Sequence, residues 1–420
     1  MILLFFVLFF ATRGTYKAWV ITDTHTDNQY SVGSAAKCFS IDCCHEDSRP
    51  RKNTENEVAG RCGNTNCYAP LDTVASSFDF INAHKDKTDV VFWLMDAVPG
   101  DVVRQSKEIN KETITSVVEQ MKKRMPGLRV YPVPGNHDYF LSSNWEYPPK
   151  SQWMLDHLSD LFSDWLSPTA LETFKKGGYY TEIIEPGIRV ISLNLVYFDT
   201  FSTHCSEYQE TDPANEVAWF KDTLQNAKEN NEKVMIISHE CMGIRDDGTL
   251  ELTPKFNEDY ADIMKTYGGI VIAQLCGHTH MDAYRLLPNY TDATFPSIVN
   301  PALTTWGNLN PKFKIIEYDK DSVVNWETFM LNISECNLME SGYNWVKDYN
   351  AGETYGITRF DVEGLREWTD AMRKDESVFQ TFVKHFKAED FVCTGNCRER
   401  LLCAFTHHNE QEYIDCLTNQ

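Results

Sequence analysis

Five short groups along the 420-residue chain carry side chains that bind divalent metals: Asp23-Thr-His25, Asp96, Gly135-Asn-His-Asp138, Ser238-His239 and Gly277-His-Thr-His280. Carboxylate, amide oxygen and imidazole together suit a borderline-to-hard divalent ion. Each group alone is weak, because an Asp-x-His is often only a turn and a Gly-His-Thr-His only a loop. Position strengthens them. Each follows an apolar run, and ligands of open α/β sheets collect at the carboxyl ends of strands.

The runs that must position these residues lie at 18–21, 90–94, 129–133, 189–193, 233–237, 269–273 and 313–317. Most are rich in β-branched residues and bounded by turn formers, which predicts strands. Helical patterns such as 113–122 and 215–224 fall between them. This alternation predicts an α/β layered domain over 15–330. From 331 to 420 the pattern turns helical, as at 362–372 and 378–386, and predicts a small subdomain stapled by Cys393, Cys397, Cys403 and Cys416.

Composition bounds the function. Hydrophobic residues make up 42% of the chain and the formal net charge is -22, which fits a globular protein and argues against nucleic acid as a partner. Residues 1–14 read as a signal peptide cleaved after Gly14, and no later run approaches a transmembrane length. A soluble, secreted or endolysosomal protein with at most peripheral membrane contact is expected, as a monomer. Thirteen cysteines fit that oxidising route better than a zinc finger, whose spacings are absent. The odd total leaves at least one unpaired, and Cys276, in the apolar run 270–276, is the expected free thiol. Cys62 and Cys336 stay unassigned. Sequons at Asn289 and Asn332 agree with secretion.

The order D-x-H, D, G-N-H-D, H, G-H-x-H resembles the calcineurin-like metallophosphoesterase superfamily. Cys38-x4-Cys43-Cys44, Ala69-Pro-Leu71, Trp165-Leu-Ser-Pro168, Lys176-Gly-Gly-Tyr-Tyr180 and the C-terminal cysteine spacing resemble its acid sphingomyelinase-like phosphodiesterases, of the type lacking a saposin domain. The resemblance implies a four-layer α/β/β/α sandwich with a small helical C-terminal subdomain. It also implies two divalent metals, zinc by family habit. One would take Asp23, His25 and His280, the other Asn136, His239 and His278, with Asp96 bridging. Such a pair activates water and neutralises phosphate oxygens. His137 would protonate the leaving oxygen or steady the phosphate charge, with Asp138 orienting it. The implied substrates are sphingomyelin, cleaved to ceramide and phosphocholine, or nucleotide and CDP-choline-like phosphoesters. Aromatics near 144–147 or 300–306 would line a pocket for a choline or a base. By the same analogy the disulfides are Cys38–Cys43, Cys44–Cys67, Cys393–Cys397 and Cys403–Cys416, with Cys205–Cys241 as a further pair.

Two departures from the family stand out. Met95 precedes Asp96 where the family has glycine, and Gly100, followed by Asp101, stands where the family has a substrate-facing histidine. They motivate an alternative: a catalytically weakened metal-binding homologue that acts by binding.

Overall fold

The computed structural model describes residues 14–418 except 41, 101–102, 204–211, 290 and 388–390. The expected leader, Gly14 apart, therefore lies outside the described residues, as do Asp101 and Cys205.

Two six-stranded sheets carry the fold. The first has the order Trp345–Asn350, Val323–Leu331, Lys312–Tyr318, Tyr16–Ile21, Val90–Trp93, Arg129–Pro132. Its last three strands run parallel, and Lys312–Tyr318 pairs antiparallel with Tyr16–Ile21. The second has the order Ala283–Leu287, Phe295–Val299, Val271–Cys276, Lys233–Ser238, Ile188–Leu193, Tyr180–Glu185, with the four from Phe295–Val299 to Ile188–Leu193 parallel. Val90–Trp93 and Val271–Cys276 are buried along their whole lengths. Unbroken apolar runs of this kind suit parallel strands covered on both faces.

Parallel pairing requires crossovers, and helices supply them. Lys107–Arg124 links two strands of the first sheet; Ser106 caps it by accepting from Ile109 N, and Lys122, Lys123 and Arg124 fill its last turn. Glu216–Glu229 and Pro254–Tyr267 do the same in the second sheet. Both sheets and their helices feed one continuous core. The expected α/β architecture is met.

The segment after 331 opens with helix Ile333–Leu338 and then adds an edge strand, Trp345–Asn350, to the first sheet. Only Trp345 and Tyr349 are buried in it, amid charged neighbours, so it carried little strand signal. Helices Val362–Lys374, Glu376–Phe386, Cys397–Thr406 and Glu410–Thr418 follow.

Cys38–Cys43, Cys44–Cys67, Cys393–Cys397 and Cys403–Cys416 are bonded as expected. Two expectations are corrected. Cys276 is not a free thiol, and Cys241 pairs with it and not with Cys205. Cys276 ends its strand beside Lys233–Ser238, and Cys241 lies three residues beyond that neighbour, so register brings their Cα atoms to 5.7 Å. The apolar context correctly signalled burial, but burial hides a bonded sulfur as well as a free one. Cys62 and Cys336 form a sixth bond, tying the early loop to helix Ile333–Leu338. Among the described residues no helix is long and apolar enough to cross a membrane.

Candidate metal centre

The ends of strands Tyr16–Ile21, Val90–Trp93, Arg129–Pro132, Lys233–Ser238 and Val271–Cys276 deliver the five groups to one edge of the paired sheets. Their loops are zipped together by backbone: Asp23 N donates to Met95 O (2.8 Å), His25 N to Asp96 O (3.0 Å) and Gly277 N to His239 O (2.8 Å). The approach is too close for side chains at two points. A Cβ on Gly135 would stand 2.6 Å from Asp96 N, and one on Gly277 2.6 Å from Asp23 Oδ2.

The site is strained. Asp23, His25, Met95, Asp96, His278 and His280 all adopt positive φ, between 36° and 66°. Left-handed backbone costs a non-glycine residue on the order of 1 kcal/mol. Six such residues at one locus mark a geometry held for something other than stability.

Hydrogen bonding fixes which atoms face inward. His25 Nδ1 donates to Val98 O and His239 Nδ1 to Leu94 O, each at 2.8 Å. Both rings therefore present the Nε2 lone pair to the centre. Asn136 Nδ2 donates to Ser143 Oγ at 2.8 Å, which turns Oδ1 inward. That oxygen stands 2.9 Å from His239 Nε2 and 3.1 Å from His278 Nδ1. Asp23 Oδ2 accepts from Thr22 Oγ1 (2.7 Å) and His278 N (3.0 Å). Its Oδ1 is buried without a hydrogen-bond donor among the described residues, 3.3 Å from His280 Nε2 and 3.8 Å from both His25 Nε2 and His239 Nε2. Asp96 Oδ1 accepts from His137 N at 2.7 Å. Its Oδ2 lies 3.3 Å from His25 Nε2 and 3.5 Å from His239 Nε2.

The electrostatics agree. Burial, then the charges of His280 and His137, hold His25 well below the usual histidine range. Burial, then Arg245 and His239, do the same to His278. Burial opposes the charge on Asp23, but His280, His239 and His25 hold it below the carboxylate range. Burial, then Asp138 and Asp23, push Asp96 well above that range. The centre is thus a set of crowded imidazoles and carboxylates, with His25 and His278 held toward the neutral form, whose nitrogen and oxygen atoms converge. Asp23, His25 and His280 form one group of metal-competent atoms, and Asp23, Asp96 and His239 another. Imidazole nitrogens, carboxylate oxygens and an amide oxygen converging in this way fit divalent cations.

Sequence reasoning placed Asp138 against His137, and the structure does not. The Asp138 carboxylate accepts Asp96 N (3.1 Å), Gly135 N (2.9 Å) and Ala97 N (2.7 Å). It builds the Met95-Asp96 turn that lacks its glycine. Ser142 Oγ is what bonds His137 Nδ1, and no spacing signal pointed to it. Burial, then the charges of His239 and His280, lower the His137 pKa to about 3. Gly100 lies against this ring: a Cβ there would meet His137 Cε1 at 2.9 Å and Tyr68 Oη at 3.0 Å. Of the aromatics expected at a pocket, Trp145 is buried in the core against Tyr139, whereas Trp306 is 46% exposed and stacks on Tyr68.

Residues 16–282 match the model of the calcineurin-like phosphoesterase family, and residues 294–420 match that of the acid sphingomyelin phosphodiesterase C-terminal region. The chain is similar to sphingomyelin phosphodiesterase A of Dictyostelium discoideum, at 28% identity over 406 residues, which cover 94% of this chain and 67% of that protein. Sphingomyelinase phosphodiesterase C of the same organism is 28% identical over 429 residues, covering 96% of this chain and 92% of the relative. Bovine cyclic GMP-AMP phosphodiesterase SMPDL3A is 27% identical over 420 residues, covering 95% and 90% respectively.

Proposed function

The chain belongs to the calcineurin-like phosphoesterase family, and on that premise we propose that it is a dinuclear-metal phosphodiester hydrolase of the acid sphingomyelinase type, with zinc at both positions. The observation that carries this reading is Asp23 Oδ1, buried with no hydrogen-bond partner among the described residues and faced by Nε2 of His280, His25 and His239 at 3.3–3.8 Å. A cation among these ligands would satisfy that oxygen. Asp23, His25 and His280 would hold one ion, Asn136, His239 and His278 the other, and Asp96 would serve both. Bound there, divalent ions supply Lewis acidity toward phosphoryl oxygens and lower the pKa of water.

The chain's own residues do the rest. His137 offers the substrate its Nε2 edge, because Ser142 engages Nδ1 and the backbone N–H is committed to Asp96. From that edge it would donate a hydrogen bond to the leaving oxygen and steady the charge that develops there. Asp138 holds Asp96 in register through three backbone donors. Substrates are sphingomyelin or a soluble nucleotide or CDP-choline-like phosphodiester. The names of the relatives support both classes. The signal peptide at 1–14, secreted or endolysosomal residence, glycans on Asn289 and Asn332, and a monomeric state complete the reading. Domain limits at 15–330 and 331–420 belong to it as well, although the sheet runs across that boundary.

The test is turnover of sphingomyelin, CDP-choline and ATP by zinc-loaded protein against a His137→Ala control. Turnover of one class well above the control supports the proposal. No turnover above the control, with metals bound, supports the binding-protein alternative that Gly100 motivates.

A further inference from the structure

The loop after His239 holds a buried cation, Arg245, two of whose guanidinium nitrogens lack a hydrogen-bond partner among the described residues. Arg245 opens a tight turn, donating N–H to Thr249 O (2.8 Å) and accepting from Gly248 N (3.0 Å). The residue is 7% exposed, and its Nε and Nη2 have no hydrogen-bond partner among the described residues. The nearest carboxylate contact, Asp199 Oδ1, stands 3.8 Å from Nη2, beyond bonding distance, and accepts Phe201 N at 2.8 Å. The Phe201 ring lies 4.2 Å from the guanidinium carbon, which supports the charge but satisfies no N–H. Buried guanidinium groups are ordinarily satisfied, because bare charged donors are costly.

The neighbouring arginine shows the ordinary arrangement. Arg285 donates to Cys241 O (3.1 Å), Met242 O (2.7 Å) and Glu251 Oε2 (2.5 Å). Arg285 already neutralises Glu251, and Arg245 keeps donors to spare. Its place is beside the metal centre. Asn136 bonds Ser143, Ser143 lies near enough to Asp199 to lower its pKa, and Asp199 faces Arg245. Asn144 Oδ1 accepts Thr203 N at 3.0 Å, so the segment carrying Asp199 and Phe201 is tied to the loop that follows His137. Phe201 is 61% exposed, and the arginine therefore lies under a ring that solvent reaches. Gly100 removes the expected histidine, so positive charge for a substrate must come from elsewhere.

We infer that Arg245 is a specificity-determining cation that binds a second anionic group, a phosphate or carboxylate, on a substrate whose scissile phosphodiester lies at the metal centre. The inference rests on the phosphodiesterase reading. The competing role is structural: Arg245 would offset Asp199 and the buried, unpartnered Glu240.

Selectivity separates the two. The kcat/KM ratio for CDP-choline, which carries a second phosphate, over p-nitrophenyl phosphorylcholine, which carries one, is measured for wild type, Arg245→Met and Arg245→Lys. The expected result is a ratio lowered about tenfold or more in Arg245→Met, mainly through KM on CDP-choline, with Arg245→Lys between. A ratio that stays within about twofold overturns the inference, even where both activities and the thermal midpoint fall together, as a structural role requires. If wild type turns over neither of these nor sphingomyelin nor ATP, the phosphodiesterase reading fails on its own. Calorimetric binding of inorganic pyrophosphate to zinc-loaded protein then decides: weaker binding to Arg245→Met supports the anion site, and equal binding overturns it.

Discussion

Asp138→Asn tests how this chain builds a metal-bearing turn without the usual glycine. The carboxylate is fully buried and accepts three backbone donors, from Asp96, Gly135 and Ala97, at 2.7–3.1 Å. An amide keeps one acceptor, enough for the Asp96 and Gly135 donors that share Oδ2. Its NH2 then faces Ala97 N, donor against donor. The two retained bonds lose their ionic character, at about 1 kcal/mol each, and the orphaned donor costs about 1–3 kcal/mol more. The expected destabilisation is about 3–5 kcal/mol. Met95 and Asp96 sit at φ 39° and 57°, so the freed turn has strain to release, and Asp96 leaves register. Guanidinium unfolding of metal-free protein gives the stability, and zinc titration gives the second effect. A loss below about 1 kcal/mol with unchanged zinc affinity refutes the clamp. Met95→Gly is a useful contrast. Relieving its φ returns about 1 kcal/mol, but emptying a fully buried methionine costs about 2–5 kcal/mol, so it also destabilises.

Three further outcomes are expected. Ser142→Ala loses about tenfold in kcat/KM on substrates with alkoxide leaving groups and much less on p-nitrophenyl esters, which need no proton; Ser142→Thr recovers part, and equal losses on both substrate types contradict a positioning role for Ser142. His45 meets Asp27 Oδ2 at 2.8 Å and Asp42 Oδ2 at 3.2 Å. Burial opposes its charge, but Asp27 and Asp42 raise its pKa above the usual histidine value. Its stabilisation is therefore fully present below the unfolded pKa and lost as pH rises through the folded one. The wild type minus His45→Gln difference in unfolding free energy is larger at pH 5 than at pH 9, and a pH-independent difference is inconsistent with the ion pair. Replacing Cys62 and Cys336 together by serine costs about 2–5 kcal/mol in chemical denaturation; a loss under about 1 kcal/mol contradicts the expected contribution of that bond.

What was legible in the sequence follows from how far each interaction reaches along the chain. Asp23, His25, Asp96, Asn136, His239, His278 and His280 were readable because each sits at a strand end, where local pattern and side-chain chemistry coincide. The parallel order of the strands then brings them together. Asp138 was misplaced because spacing locates a residue and not the direction of its carboxylate, which turns to the Asp96 backbone. Ser142 and Arg245 carried no local signal; their partners become neighbours only when loops from two sheets fold over the centre. The Cys241–Cys276 bond was missed for the same reason, since register between adjacent strands sets it. Strand Trp345–Asn350 shows the converse, a charged segment recruited to a sheet edge by two aromatic residues.

The central claim is that the converging nitrogen and oxygen atoms hold two metals. Elemental analysis of the purified chain measures this directly. About two zinc ions per chain are expected in the wild type, and about one or none in Asp96→Ala, which removes the shared ligand. A wild type carrying one ion or none, or an Asp96→Ala variant that retains two, would contradict the assignment.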